Sequence, residues 1–92
     1  MIEEVLSNPA LENRPLGEQV SYQLKLFEFD PFWEPRYCVY QGRTRWDDAA
    51  GETVWDEEES ERFLTLQEAQ AKYDLRRADL AGRGFTLSDM EW

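Results

Sequence analysis

The sequence predicts an α+β domain: an antiparallel β-meander of three or four strands with one main C-terminal α-helix packed on one face. Apolar and polar side chains alternate from Val20 to Leu26, which is typical of a strand with one buried face. Residues 36–46 are rich in aromatic and β-branched side chains, which favour strands. Thr65 and Glu68 have the spacing of a helix capping box. Strands followed by a helix, rather than alternating with helices, favour the α+β class.

The first predicted strand begins at Val20 and continues into Phe29. Asp30-Pro31 then ends it, because proline has no amide hydrogen to donate to a neighbouring strand. Residues 30–35 form a rigid connection that carries aromatic side chains between two prolines. A second strand is expected over 36–41, followed by a turn or bulge at Gln41-Gly42.

The meander is expected to continue through 44–46, turn in a loop over 47–52, and add a short strand at 53–55. The acidic run 56–61 should end that strand as a solvated, self-repelling loop, or as a patch that faces a partner.

The helix is predicted from about Leu66 to Ala81, with Gly82 or Gly84 closing it through a left-handed residue. One stripe of this helix should pack on the sheet: Leu66, Ala69, Tyr73 and Leu80. Leu75 falls on the far side, so either that side is also covered or Leu75 is presented to a partner. The tail 85–92 could add a short edge strand.

We expect residues 1–19 to form an irregular N-terminal arm and residues 20–92 to form a single α+β domain. Proline, asparagine and glycine are scattered among few apolar groups in the arm. The chain has 92 residues and is 41% hydrophobic, which suits one compact core.

The formal net charge of −10 is unevenly distributed. Residues 47–61 contain eight acidic side chains and no basic one. Such a surface repels phosphate and anionic lipid, so direct binding to nucleic acid or to a membrane is not expected. A single cysteine, no apolar run near the ~20 residues of a membrane span, and acidic residues at the N-terminus favour a cytoplasmic location.

The residue types available argue against catalysis. The chain has no histidine, so the usual general base near neutral pH is missing, and so are the common catalytic zinc sites. Cys38 lies within a predicted strand, as a packed thiol would. The glycines do not have phosphate-loop spacing, and the acids do not follow the calcium-loop pattern. We therefore predict a protein that is not an enzyme and has no cofactor and no metal.

Candidate binding residues belong to three groups. Phe32 or Trp33, in the connection between two prolines, could be an exposed hot spot for a protein partner. Arg43 and Arg45 share one strand face, where they either pair with the acidic tract or form an anion patch. The third group is the centre of the acidic run: Glu57, Glu58 and Glu59.

Two functions follow from these features. The first is a small cytoplasmic protein-interaction or accessory factor whose acidic residues steer a partner with a basic surface. The alternative is an acidic nucleic-acid mimic that occupies the basic groove of a DNA- or RNA-binding protein. An enzyme that uses paired carboxylates ranks third.

The stretch 63–85 resembles the closing helix of WGR modules, which are nucleic-acid-binding domains with aromatic-rich strands before a helix. The resemblance is carried by Phe63 to Ala69 and by Gly82-Arg83-Gly84-Phe85. The contiguous Trp-Gly-Arg signature is missing, since Gly42-Arg43 precedes Trp46, and the acidic charge is opposite to what DNA binding requires. We interpret the resemblance as a shared pattern of a meander and a helix.

Overall fold

The computed structural model describes residues 2–29 and 34–87, and it confirms the α+β class. A five-stranded antiparallel sheet carries one helix near the C-terminus. The elements are β1 (Ile2–Ser7), β2 (Ser21–Glu28), β3 (Tyr37–Asp47), β4 (Glu52–Phe63), α1 (Leu66–Gly82) and β5 (Thr86–Leu87). The order across the sheet is β4-β3-β2-β1-β5, a meander from β1 to β4 with β5 added beside β1.

Strand β2 lies at the centre of the sheet, and its alternation matches the expectation from sequence. Tyr22, Leu24 and Leu26 are buried, whereas the residues between them are only partly covered. The strand pairs with β1 on one side and β3 on the other. Because its polar side chains lie on the opposite face, one face of the sheet is available for the core.

The N-terminal segment differs from the irregular arm expected from sequence, because Ile2–Ser7 forms β1 and pairs with β2 along its whole length. This strand is difficult to predict from the sequence, because Glu4 occupies a position where an apolar side chain is expected. Its carboxylate accepts hydrogen bonds from the Tyr73 hydroxyl and, at 2.7 Å, from Arg77 of the helix. Residues 8–20 contain two short 3₁₀ turns, Pro9–Leu11 and Leu16–Glu18.

The acidic run is part of a strand and not a loop. The short strand expected at 53–55 is instead β4, which continues through every residue of the run to Phe63. Strand β3 is likewise continuous, and the irregularity lies beyond Gly42, between Arg43 and Thr44. There Arg43 pairs with Glu57 and Thr44 pairs with Trp55, so Asp56 is the extra residue of a β-bulge.

Helix α1 has the predicted bounds to within one residue. Thr65 is its N-cap, and the threonine hydroxyl oxygen accepts a hydrogen bond from the Glu68 amide at 3.2 Å. Beyond the helix Gly84 has a φ of +94°, the left-handed conformation predicted for its end. The Phe85 amide then donates to the Leu80 carbonyl at 2.9 Å, which turns the chain back toward the sheet.

The core lies between α1 and one face of the sheet. Ala69, Tyr73 and Leu80 of the predicted helical stripe are buried, but Leu66 is largely exposed because it occupies the first turn. Leu75 is exposed on the far side of the helix. The core residues are Leu6, Tyr22, Leu24, Leu26, Val39, Ala69, Tyr73, Leu80 and Phe85.

The predicted edge strand of the tail is present as β5, which pairs with β1. Residues 88–92, including Trp92, lie outside the described residues. Over the part of the chain that the structure describes, no helix is long and apolar enough to cross a membrane.

Because β2 is the central strand, truncation of one of its buried side chains should destabilise the fold. Leu24→Ala should lower the free energy of unfolding by about 2 to 5 kcal/mol, because the fully buried side chain would leave a cavity. The matched control is Leu75→Ala on the outer side of α1, which should change stability by less than about 0.5 kcal/mol. Urea denaturation followed by circular dichroism measures both. Equal losses in the two variants would contradict this description of the core.

Candidate functional site

The sheet has two faces of different character. The helix face carries the core, including Leu24 and Val39, and packs against α1. The open face is the opposite side, reached by the alternate residue of each strand. Around Trp55 its side chains include Val5, Ser7, Ser21, Gln23, Lys25, Tyr40, Gly42, Thr44 and Glu58, and near the start of β3 the same face holds the buried Cys38. The 3₁₀ turn Leu16–Glu18 contacts β3, and no described α-helix packs over this second face.

Alternate residues of the acidic run point to the helix face, where basic side chains meet them. Glu57 lies 3.4 Å from Arg43. Glu59 pairs with Arg76 of the helix at 2.5 Å, and Glu61 pairs with Lys72 at 3.5 Å. Two of the three predicted acidic binding residues, Glu57 and Glu59, are therefore engaged within the chain. The third, Glu58, lies on the other face.

The two candidate arginines meet at the β-bulge. The Asp56 carboxylate accepts hydrogen bonds from Arg43 at 2.9 and 3.0 Å and from Arg45 at 3.2 Å. The hydrogen bond from Arg43 lowers the pKa of Asp56, and the same contact raises the pKa of Arg43. The Asp56 side chain is only 18% exposed. These arginines thus bind the chain's own carboxylate.

Asp56→Asn should lower the free energy of unfolding at pH 7 by about 1 to 2 kcal/mol, because two guanidinium groups lose a charged acceptor. The folded-state pKa of Asp56 is lowered, so its stabilisation is present above the unfolded pKa of about 3.9 and is lost as pH falls through the folded value. The difference between wild type and variant should therefore close in acid.

Glu57→Gln is the matched control for this change. Its partner is the same Arg43, but its side chain is half-exposed, so the loss should be about 0 to 0.5 kcal/mol. Denaturant titrations at pH 7 and below pH 4 separate the two variants. A gap between wild type and Asp56→Asn that stays constant with pH would show that the Asp56 charge is not the cause.

The aromatic hot spot expected from sequence, Phe32 or Trp33, lies outside the described residues. Among the described aromatic residues, Trp55 on the open face is the most accessible tryptophan, with 48% of its surface exposed. Trp46, by contrast, donates its indole N–H to Asp48 at 2.8 Å. Of the described tryptophans, the more accessible one is thus on a strand.

Gly42 allows the Trp55 ring to lie close to the sheet. A Cβ atom at residue 42 would stand 2.6 Å from Cζ3 of Trp55 and 2.5 Å from the Tyr40 hydroxyl oxygen. The Tyr40 and Trp55 rings meet edge to face, with centroids 6.2 Å apart. The two rings therefore converge above a backbone position that only glycine leaves open.

Glu58 completes this corner of the open face. It is opposite Gly42 in the register of β3 and β4. Burial raises the pKa of Tyr40, and the negative charge of Glu58 raises it further. Among the described residues, no basic side chain is within ion-pair distance of the Glu58 carboxylate. We call Tyr40, Gly42, Trp55 and Glu58 the aromatic corner.

A groove of about 300 Å³ adjoins Trp55, which is the member of the aromatic corner that lines it. Its lining includes Val5, Ser21, Gln23 and Thr44, with Trp55 at one side. A second depression of about 340 Å³ shares Val5, Ser21 and Thr44 with the first and extends to the 3₁₀ turn at Pro9–Leu11.

Gly42→Ala should displace the Trp55 ring from the sheet. The crowding should lower the free energy of unfolding by about 1 to 3 kcal/mol, and the indole N–H resonance of Trp55 should move in the NMR spectrum. Gly82→Ala is the control, because a Cβ there meets open space at the end of α1 and should be neutral or slightly stabilising. An unmoved Trp55 resonance in Gly42→Ala would refute the close approach.

Metal ligands and the cysteine bear on the chemistry that the described residues could support. No group of three or more metal-ligating side chains is arranged to hold a metal within 2–29 and 34–87. Cys38 is buried, and burial raises the pKa of its thiol, which disfavours the reactive thiolate. Comparison with protein-family models, with curated proteins and with solved structures finds no match for the chain.

Trp55 and Gly42 were not among the binding residues predicted from sequence. A glycine inside a strand is itself a signal, because it often marks a close approach of another group to the backbone. The sequence favours a turn or bulge at Gln41-Gly42, since Gly42 precedes the short Thr44-Arg45-Trp46 segment, and it does not indicate which side chain lies over the glycine.

Proposed function

We propose that the protein is a small, non-catalytic cytoplasmic interaction or accessory factor that binds a protein partner with a basic surface through the open face. The observation that carries this proposal is the half-exposed Trp55, which stands beside an uncovered groove. Tryptophan is among the residues that most often dominate the energy of protein interfaces. A sheet face with such a residue, over which no described α-helix packs, suits recognition of another protein.

The aromatic corner is already organised for binding. Trp55 is held by Tyr40 on one side and by the backbone at Gly42 below. A side chain that is fixed before binding loses less conformational entropy when a partner covers it. This favours a recognition role over a purely structural one, since a structural role would place the ring in the core.

The charge distribution favours a basic partner. The following basic residues all lie within ion-pair distance of carboxylates in the same chain: Lys25, Arg36, Arg43, Arg45, Lys72, Arg76, Arg77 and Arg83. With twenty acidic and ten basic residues in the sequence, the charge left over is negative. Such a field speeds association with a positively charged surface.

The second candidate is the acidic mimic of nucleic acid, and one observation favours it. Glu57, Glu59 and Glu61 lie in a row along β4, at the spacing of roughly 7 Å that alternate strand residues have. Each of them, however, already has a basic partner in the chain. A mimic needs carboxylates that are free to replace phosphates, so we rank this function second.

Affinity capture from a lysate of the native host, with mass spectrometry, tests the first proposal. Trp55→Ala should lose a specific partner that the wild type retains, whereas Leu75→Ala should keep it. The two variants are matched because both residues are large, apolar and exposed, but on opposite sides of the molecule. Equal partner profiles for wild type and Trp55→Ala would refute binding through the open face.

The same capture at two salt concentrations separates the two candidates. A complex anchored by Trp55 should survive an increase from 50 to about 200 mM salt, whereas a mimic that replaces several phosphates should lose about a thousandfold or more in affinity. The triple variant Glu57→Gln, Glu58→Gln, Glu59→Gln should abolish partner binding if the protein acts as a mimic. If Trp55 anchors the complex, the same variant should only weaken it.

A further inference from the structure

Resting on the proposed function, we infer that the groove of the open face receives an extended basic segment of the partner, with one lysine or arginine side chain seated in the aromatic corner. The segment would lie across the small residues between Trp55 and the turn at Pro9–Leu11. Its cationic group would meet the indole ring and the Glu58 carboxylate together.

The pattern of cation–aromatic contacts within the chain is the first argument. Basic groups lie 4.3 to 5.7 Å from the centroids of four rings: Tyr22, Phe29, Tyr37 and Tyr40. Trp55 has no such contact with any described residue, although tryptophan is the best aromatic acceptor of a cation. Trp55, the ring best suited to bind a cation, is thus available to a cationic side chain of a partner.

Glu58 supplies a counter-charge on the same face, opposite Gly42 in the register of β3 and β4. Its negative charge raises the pKa of Tyr40, whose ring meets Trp55 edge to face. A carboxylate accepts hydrogen bonds, and a charged donor forms the stronger kind. Glu57 and Glu59, its neighbours on the other face, have basic partners already.

The shape of the groove suits the rest of a basic side chain. Val5 and Thr44 line it with methyl groups, against which the aliphatic part of a lysine can pack. The adjoining depression continues the path along Ser21 toward the 3₁₀ turn, so a segment and not a single residue can lie there.

Charge also excludes the opposite ligand. The nearby Lys25 ammonium lies 3.8 Å from Glu3 and 5.7 Å from the centroid of the Tyr40 ring, so its charge is already balanced. An acidic segment would bring its carboxylates against Glu58 with no uncommitted cation in the described part of the groove. Repulsion between like charges therefore disfavours an acidic segment.

The test uses a nine-residue peptide of alternating lysine and serine and follows the full-length protein by ¹H–¹⁵N NMR. We expect the amides of Gly42 and Thr44 and the indole of Trp55 to shift together as the peptide is added. A peptide with acetyl-lysine in place of lysine keeps the stem but removes the charge, and it should bind about fivefold or more weakly.

Substitutions test whether the cationic side chain of the peptide contacts Glu58 and Trp55. Glu58→Gln and Trp55→Leu should each weaken binding of the lysine peptide about five- to tenfold. The control Glu57→Gln removes one carboxylate from the adjacent residue on the other face, and it should change the affinity less than about twofold. Equal weakening by Glu57→Gln and Glu58→Gln would mean diffuse attraction to an acidic surface and would overturn the inference.

Other outcomes decide between this inference and the proposed function. A lysine peptide that does not shift the groove, together with Trp55-dependent capture of a partner, would overturn the basic segment and leave the binding face intact. Groove resonances that shift with protein concentration alone would show a second copy of the chain in the groove instead. Absence of both peptide binding and Trp55-dependent capture would refute the inference and the proposed function together.

Discussion

The inclusion of the acidic residues of β4 in the sheet depends on neutralisation by basic side chains from two neighbouring elements. Four of its carboxylates, at residues 56, 57, 59 and 61, lie within ion-pair distance of bases on β3 or α1. Without those partners the run would repel itself and favour an extended, solvated loop. Pairing with β3 alone could not balance it, because only Arg43 and Arg45 face it from that strand. The helix is therefore fixed on the sheet by charge as well as by its apolar stripe.

This arrangement gives the two faces of the sheet different roles: the helix face is covered by α1, and the open face is not. The cations of α1 reach only the residues of β4 that point to the helix, since side chains alternate along a strand. Glu58 lies on the other face, where its charge acts on Tyr40, and it has no ion-pair partner among the described residues. The same alternation that satisfies the helix face thus exposes an aromatic and acidic corner on the open face.

The elements that the sequence predicts well are those whose apolar pattern is local. The alternation in β2 and the capping box of α1 needed no knowledge of the rest of the fold. Strand β1 and most of β4 could not be predicted, because acidic residues stand where a strand pattern requires apolar ones. Glu4 is matched by Arg77, and Glu59 by Arg76, which are distant in sequence. Only the tertiary structure brings those charges together. The acidic residues therefore lie in strands that their local sequence does not favour.

The candidate site could not be predicted from the sequence for a related reason. An exposed tryptophan is informative only when its surroundings are known, and the sequence places Trp55 merely beside an acidic run. Its position follows from Gly42, thirteen residues earlier in the chain, which lies diagonally across the β3–β4 pair. The bulge at Asp56 shifts the register by one residue between Trp55 and Glu57, which puts Trp55 and Glu58 on the same face despite their odd spacing. One extra residue in β4 therefore places the ring and the carboxylate side by side, and the arginines that bind Asp56 hold that register.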